Sequence, residues 1–148
     1  MKKIIAIGSD HAGFLLKNEI IDYLKSKNLE VIDCGTYSTE SCDYPDYAKL
    51  VAEKVSAKEA DAGILLCGTG IGVSIAANKV KGVRAALVWN SETAALSKQH
   101  NDANIICIGA RFIASFYAKK IIDAYLNAEF EKGNHQRRVE KISKIESN

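Results

Sequence analysis

The chain has 148 residues, 47% of them hydrophobic and 26% charged, proportions that suit one globular domain and exclude fibrous, collagenous and disordered readings. Its formal charge is +2, and the whole excess falls in residues 131–148, which hold five basic and three acidic side chains. That leaves no broad basic face for duplex nucleic acid or an anionic membrane, so an anion would have to be bound at a local site.

Met1 to Ile7 begins like a secretory leader, but Asp10 and His11 cut its apolar run too soon. Lys3–Gly8 reads instead as a first strand. Gly13–Lys27 follows with helical period, placing Leu16, Ile20 and Leu24 on one face and Lys17, Asp22 and Lys25 away from it. Glu30–Cys34 is the second strand. Pro45, the only proline, fits the first turn of a second helix that buries Tyr47, Leu50, Val51 and Val55. Ala62–Cys67 is the third strand and Ile71–Lys79 the helix after it. The stretch from Ala62 to Asn78 is uncharged, but it is broken by glycines and shorter than the roughly 20 apolar residues a bilayer span needs. Val83–Trp89, a helix at Ser91–Lys98, Ile105–Gly109 and a helix at Phe112–Leu126 complete the alternation. After a break at residues 131–134, a last helix over 134–146 carries Val139, Ile142 and Ile145 as a narrow stripe, suited to its own domain or to a second subunit.

Several strands are apolar on successive residues, which requires cover on both faces. The expected architecture is a doubly wound, Rossmann-like parallel sheet of five strands in a three-layer α/β/α sandwich. With no repeat, linker or low-complexity tract, residues 1–148 read as a single domain. Cys34, Cys42, Cys67 and Cys107 contain no C-x-x-C pair, so neither a zinc site nor a disulfide framework is expected, and a reduced, cytoplasmic protein is.

Ligands of an open parallel sheet bind beyond the carboxyl ends of its strands. The unusual residues are expected there: Asp10 and His11 after the first strand, Cys67-Gly68-Thr69-Gly70-Ile71-Gly72 at the third, and His100-Asn101-Asp102 beside the fifth. Alternate glycines at a strand-to-helix turn bring backbone N–H groups close to a ligand and form an anion or oxyanion cradle, or else only a tight turn. No Lys follows the last glycine, and the spacing differs from G-x-G-x-x-G, so a nucleotide-phosphate loop is disfavoured. Cys67 opens the cradle at a helix N-terminus, a place that favours the thiolate needed of a base or nucleophile. Cys107, among isoleucines, and Cys34 read as core. His100 suits acid–base work or mere capping. Arg111 and the run His135-Gln136-Arg137-Arg138 suit a phosphate, or simply a solvated basic face.

The segments G-S-D-H-A-G-F from Gly8, D-Y-P-D-Y-A from Asp43, C-G-T-G-I-G-V-S-I-A-A-N-K from Cys67, Q-H-N-D-A-N from Gln99 and H-Q-R-R-V from His135 together resemble the type B ribose-5-phosphate isomerases, a family that also includes the galactose-6-phosphate isomerase subunits. The resemblance runs from the first strand to the last helix. It implies a cofactor-free and metal-free aldose–ketose isomerase of the pentose phosphate pathway in carbohydrate metabolism, acting through a cis-enediolate. It also implies a homodimer with shared active sites, leaving pairing of dimers open. Cys67 is then the base, His100 the acid for ring opening with Asp10 assisting, and Thr69 a hydrogen-bonding partner near the thiolate or sugar. His11, Gly68, Gly70, Ile71, Gly72, Asn101, Arg111, His135 and Arg138 bind substrate. Asn134 departs from the family pattern, which often has Arg there, and so leaves room for hexose 6-phosphates such as allose 6-phosphate. From other classes, a phosphosugar-binding regulatory module without turnover and, more distantly, a nucleotide-binding domain remain alternatives.

Overall fold

The computed structural model describes residues 1–147. In chain order the elements are β1 (Ile4–Ser9), α1 (Phe14–Ser26), β2 (Glu30–Asp33), α2 (Tyr44–Ser56), β3 (Ala62–Cys67), α3 (Ile71–Ala77), β4 (Ala85–Leu87), α4 (Ser91–Asn101), β5 (Ile105–Gly109), α5 (Ser115–Leu126) and α6 (Asn134–Ile145). All strand pairs are parallel and the sheet order is β2-β1-β3-β5-β4. The direction of winding reverses between β1 and β3, the place where ligand crevices open in such sheets.

Alternation along the strands divides the core in two. Ile5, Ile7, Ile64, Leu66, Ile106 and Ile108 meet α1, α4 and α5 on one face. Ala6, Leu65, Cys67, Ile105 and Cys107 meet α2 and α3 on the other. The three-layer sandwich is therefore the expected one, and its two central strands, β3 and β5, are buried at every residue.

Four local expectations change. Lys17 does not point to water: it is fully buried, with Nζ 2.7 Å from Asp33 Oδ1, because its stem packs down the sheet side of α1 while the ammonium reaches the end of β2. In α2 the buried positions are Ala48, Val51, Ala52 and Val55, so Leu50 falls on the exposed side and Tyr47 is half-buried. β4 keeps only three residues. It is the edge of the sheet, paired only with β5, and past its ends only single bonds continue: the Val88 N–H donates to Cys107 O at 3.1 Å and the Arg84 N–H to the Asn104 side chain at 2.7 Å. The helix expected from Phe112 begins at Ser115, since Ala110 and Arg111 first turn back to donate to the Cys67 and Gly68 carbonyls at 2.8 and 3.1 Å.

The last helix, α6, has no buried residue. It packs against α4 and is tied at its far end by the Glu146 carboxylate, which accepts the Gly82 N–H at 3.0 and 3.1 Å. Ile142 and Ile145 of its apolar stripe are exposed.

Candidate active site

At the carboxyl edge, β1 ends in a turn shaped by Asp10. Its Oδ1 accepts the Ala12 and Gly13 N–H groups at 3.0 and 3.2 Å, which braces the turn that leads into α1 and pins a nearly buried carboxylate beside β3. The Asp10 N–H itself donates to Leu66 O at 3.2 Å, so the β1 turn is fastened to the residue before Cys67.

Cys67 closes β3, 5% exposed, on the α2 and α3 side of the sheet. The chain then folds back on the thiol: the Gly70 N–H donates to Sγ at 3.2 Å. Gly70 has φ +80°, and a Cβ there would lie 2.6 Å from Leu87 Cδ1 and 3.0 Å from the Ile108 carbonyl carbon, so glycine is required twice over. The next amide, of Ile71, donates to Thr69 Oγ1 at 3.1 Å. Two of the amides expected to face a ligand are thus engaged inside the turn, and the Thr69 hydroxyl proton remains available to donate outward. Arg111 lies over the start of the turn, where a Cβ on Gly68 would come 3.0 Å from its Nη1. This places a guanidinium beside the thiol-bearing loop.

His11 faces the loop that follows β2. Its Nδ1 accepts the Cys42 N–H at 3.3 Å, with Cys42 Sγ 3.9 Å away, so the ring proton belongs on Nε2 and is free to donate. Cys42 had no sequence signal of its own, yet it is half-buried against a candidate ligand-binding histidine rather than in the core. Tyr44 was likewise missed as an individual residue, although it lies in the D-Y-P-D-Y-A segment. Its ring packs on α3 so closely that a Cβ on Gly72 would be 2.6 Å from Cε1.

His100, Asn101, His135 and Arg138 are not at this edge. His100 and Asn101 end α4, whose 11 residues carry the chain about 16 Å back across the sheet. Asn104 then accepts the Gly63 N–H at the amino end of β3. The expectation that His100-Asn101-Asp102 would sit with the carboxyl ends fails for a topological reason: a segment preceding a parallel strand lies at the opposite edge from one following it. There the His100 and His135 rings stack, with centroids 4.2 Å apart and planes 9° from parallel. Both Nε2 atoms approach Glu131 Oε1, at 3.7 and 3.8 Å. Arg138 is exposed one turn further along α6. Asp102 is drawn into ion pairs with Lys98 at 2.6 Å and Arg84 at 3.4 Å.

The remaining cysteines are core residues, as expected. Burial pushes the Cys107 thiol far up, helped by the nearby Cys67, and burial also raises Cys34. Neither is a thiolate near neutral pH.

A family model described as ribose/galactose isomerase matches residues 5–142. Among curated relatives, ribose-5-phosphate isomerase B of Escherichia coli (strain K12) is 53% identical over 146 residues, 99% of this chain and 97% of that one. Probable ribose-5-phosphate isomerase B of Mycoplasma genitalium is 51% identical over 144 residues, 96% and 95% of the two chains. The solved structure of Clostridium thermocellum ribose-5-phosphate isomerase B superposes with a TM-score of 0.96 at 53% identity, over 97% of each chain. That of Mycoplasma genitalium ribose-5-phosphate isomerase B with bound ribulose 5-phosphate also gives 0.96, at 49% identity, over 100% of this chain and 99% of that one.

Proposed function

The chain belongs to the ribose/galactose isomerase family, and from that premise we propose that it interconverts ribose 5-phosphate and ribulose 5-phosphate as an aldose–ketose isomerase of the pentose phosphate pathway. The observation that carries the reading is Cys67, held by the Gly70 amide in a glycine turn beyond the central strand, with Thr69 and Arg111 beside it and Asp10 and His11 on the adjoining β1 turn.

In the open-chain aldose, the Cys67 thiolate removes the C2 proton. The electron pair forms the C1–C2 double bond and charge passes to O1, giving a cis-enediolate. A proton shifts from O2 to O1, and return of the abstracted proton to C1 yields the ketose with no external oxidant or cofactor. The Thr69 hydroxyl and the turn amides not already engaged, together with the field of Arg111, stabilise the developing oxyanion. Before that step, His100 protonates the furanose ring oxygen while Asp10 assists at the anomeric hydroxyl. His11, Asn101, His135 and Arg138 hold the sugar and its phosphate.

These roles require two chains. Within one subunit the length of the sheet separates Cys67 from His100, His135 and Arg138. In a two-fold homodimer, the carboxyl edge of one protomer facing the amino edge of its partner completes two identical sites. Exposed apolar side chains on both edges support such docking: the edge-packed pair Trp89 and Phe112, 5.8 Å between ring centroids, with Ile71 and Ile75, and on the other side Ile142 and Ile145 of α6. The four free cysteines suit a reducing cytoplasm. Among the described residues no helix is long and apolar enough to cross a membrane.

The test is isomerisation and C2 proton exchange in deuterated water with ribose 5-phosphate, allose 6-phosphate and galactose 6-phosphate. Exchange on the pentose, abolished in Cys67→Ala, is the expected result. Full activity in that variant would falsify the assigned base, a preference for a six-carbon substrate would reassign the sugar, and binding without exchange would make the protein a sugar-phosphate sensor.

A further inference from the structure

Beside the stacked imidazoles lies a second chemistry. His100 and His135 come from two different helices, Glu131 from the segment between α5 and α6, and one nitrogen or oxygen of each lies within 4.8 Å of the others. Glu131 is fixed there by its backbone, whose N–H donates to Gln99 O at 3.0 Å. We propose that His100, Glu131 and His135, brought together where the end of α4 meets the start of α6, form a three-ligand site for Zn²⁺ whose occupation switches the enzyme off.

Two imidazole nitrogens and one carboxylate, with a fourth position open, make the donor set of catalytic-type zinc sites rather than of Mg²⁺ or Ca²⁺, which take oxygen ligands. Zinc bonds of about 2.1 Å at tetrahedral angles put neighbouring donors about 3.4 Å apart. The two nitrogen-to-oxygen separations here are 3.7 and 3.8 Å, so each need close by only a few tenths of an ångström. The imidazoles need the larger adjustment, turning from parallel stacking so that both lone pairs converge. Side-chain exposures of 41% for His100 and 27% for His135 leave them room to turn. Glu131, at 52%, is accessible to an arriving ion.

A metal here occupies the ring nitrogens through which His100 and His135 would otherwise donate a proton or a hydrogen bond to substrate. The inhibitory consequence therefore rests on the isomerase reading above, whereas binding itself does not.

Zn²⁺ titrated into the full-length, metal-free protein against a chromophoric chelator should give one ion per chain. Glu131→Gln and His135→Ala should each weaken that affinity at least tenfold with circular dichroism unchanged, while Cys42→Ser and Cys67→Ser stay within twofold of the parent. Co²⁺ should give tetrahedral visible absorption without a thiolate charge-transfer band. No binding, an affinity indifferent to either Glu131→Gln or His135→Ala, or an affinity that follows the cysteines overturns the site. Filling it should reduce turnover at least tenfold, reversibly with chelator, and undiminished turnover of the zinc-loaded protein overturns the switch. Zinc binding by a chain that is inactive even in chelator would refute the isomerase reading and leave the metal site standing.

Discussion

The Gly70 amide donates to Cys67 Sγ at 3.2 Å, and it reaches the sulfur only because Gly70 takes a left-handed backbone that carries the chain back over β3. Gly70→Ala places a methyl 2.6 Å from Leu87 Cδ1 and adds about 1–2 kcal/mol of backbone strain. We expect a lower Tm and a fall in kcat of at least tenfold with a smaller change in KM, because the sulfur is misdirected while the phosphate contacts stay. Steady-state kinetics and thermal unfolding of the variant check both.

Cys67 and His100 on different protomers predict complementation. Cys67→Ala and His100→Ala homodimers should each be nearly inactive, yet after subunit exchange the mixture should recover about a quarter of parental activity. Half of the dimers are then mixed, and each mixed dimer has one intact site. No recovery after verified exchange would place both residues in one subunit's site.

Much of the fold can be read from the chain, since Ala62–Cys67 and Ile105–Gly109 are observed with the expected bounds and the other strands shift by one or two residues. Those two are central strands, apolar at successive positions because both faces are covered. The edge strand β4 was overestimated because its flanks are apolar, and nothing in the amino acids reveals that a neighbour is lacking. The order of strands was equally hidden. It decides which polar turns share an edge, so the halves of the site at Cys67 and at His100 could be recognised one by one but not assigned to their opposite ends. Lys17 was misjudged because a charged residue at helical period is normally solvated, and only its partner, 16 residues on, reverses that expectation.

The Lys17–Asp33 pair predicts asymmetric substitution effects. Asp33→Ala leaves a fully buried ammonium without its counter-ion and frees the Gly35 N–H, which Asp33 Oδ1 holds at 2.9 Å. It should cost about 3 kcal/mol. Lys17→Met removes the buried charge itself, and Asp33, with 35% of its side chain exposed, can turn to water. Its cost should be under about 1.5 kcal/mol, read from urea midpoints at constant m-value.

Alkaline pH should destabilise the protein in two stages. Burial raises the folded values of Cys107 and Tyr125 above their ordinary 9.0 and 10.0. Above those values the unfolded chain releases protons that the folded chain keeps. The stabilisation is therefore full below pH 9 and declines above it, by about 1.4 kcal/mol per pH unit for each group. In Cys107→Ala the decline between pH 9 and 10 should be shallower than in the parent, with the raised Cys34 thiol still contributing, which denaturant titrations between pH 8 and 11 will show.

Asn134 opens α6 beside His135 with its side chain exposed. Asn134→Arg adds a bidentate phosphate partner at a free surface and should lower KM for a sugar phosphate several-fold with kcat little changed. An unchanged KM on five- and six-carbon substrates would show that the phosphate lies elsewhere.

The sheet order bears on how the chain assembles. β5 is the last strand made, yet it lies between β3 and β4, both made before it. During synthesis β4 has no neighbour to pair with, and β3 keeps one bare apolar edge, until residues 105–109 slot into the gap. The nascent sheet is thus most exposed to wrong strand pairing just before its centre is filled. Stalling or truncation in α4 would leave the facing edges of β3 and β4 unpaired and open to other chains.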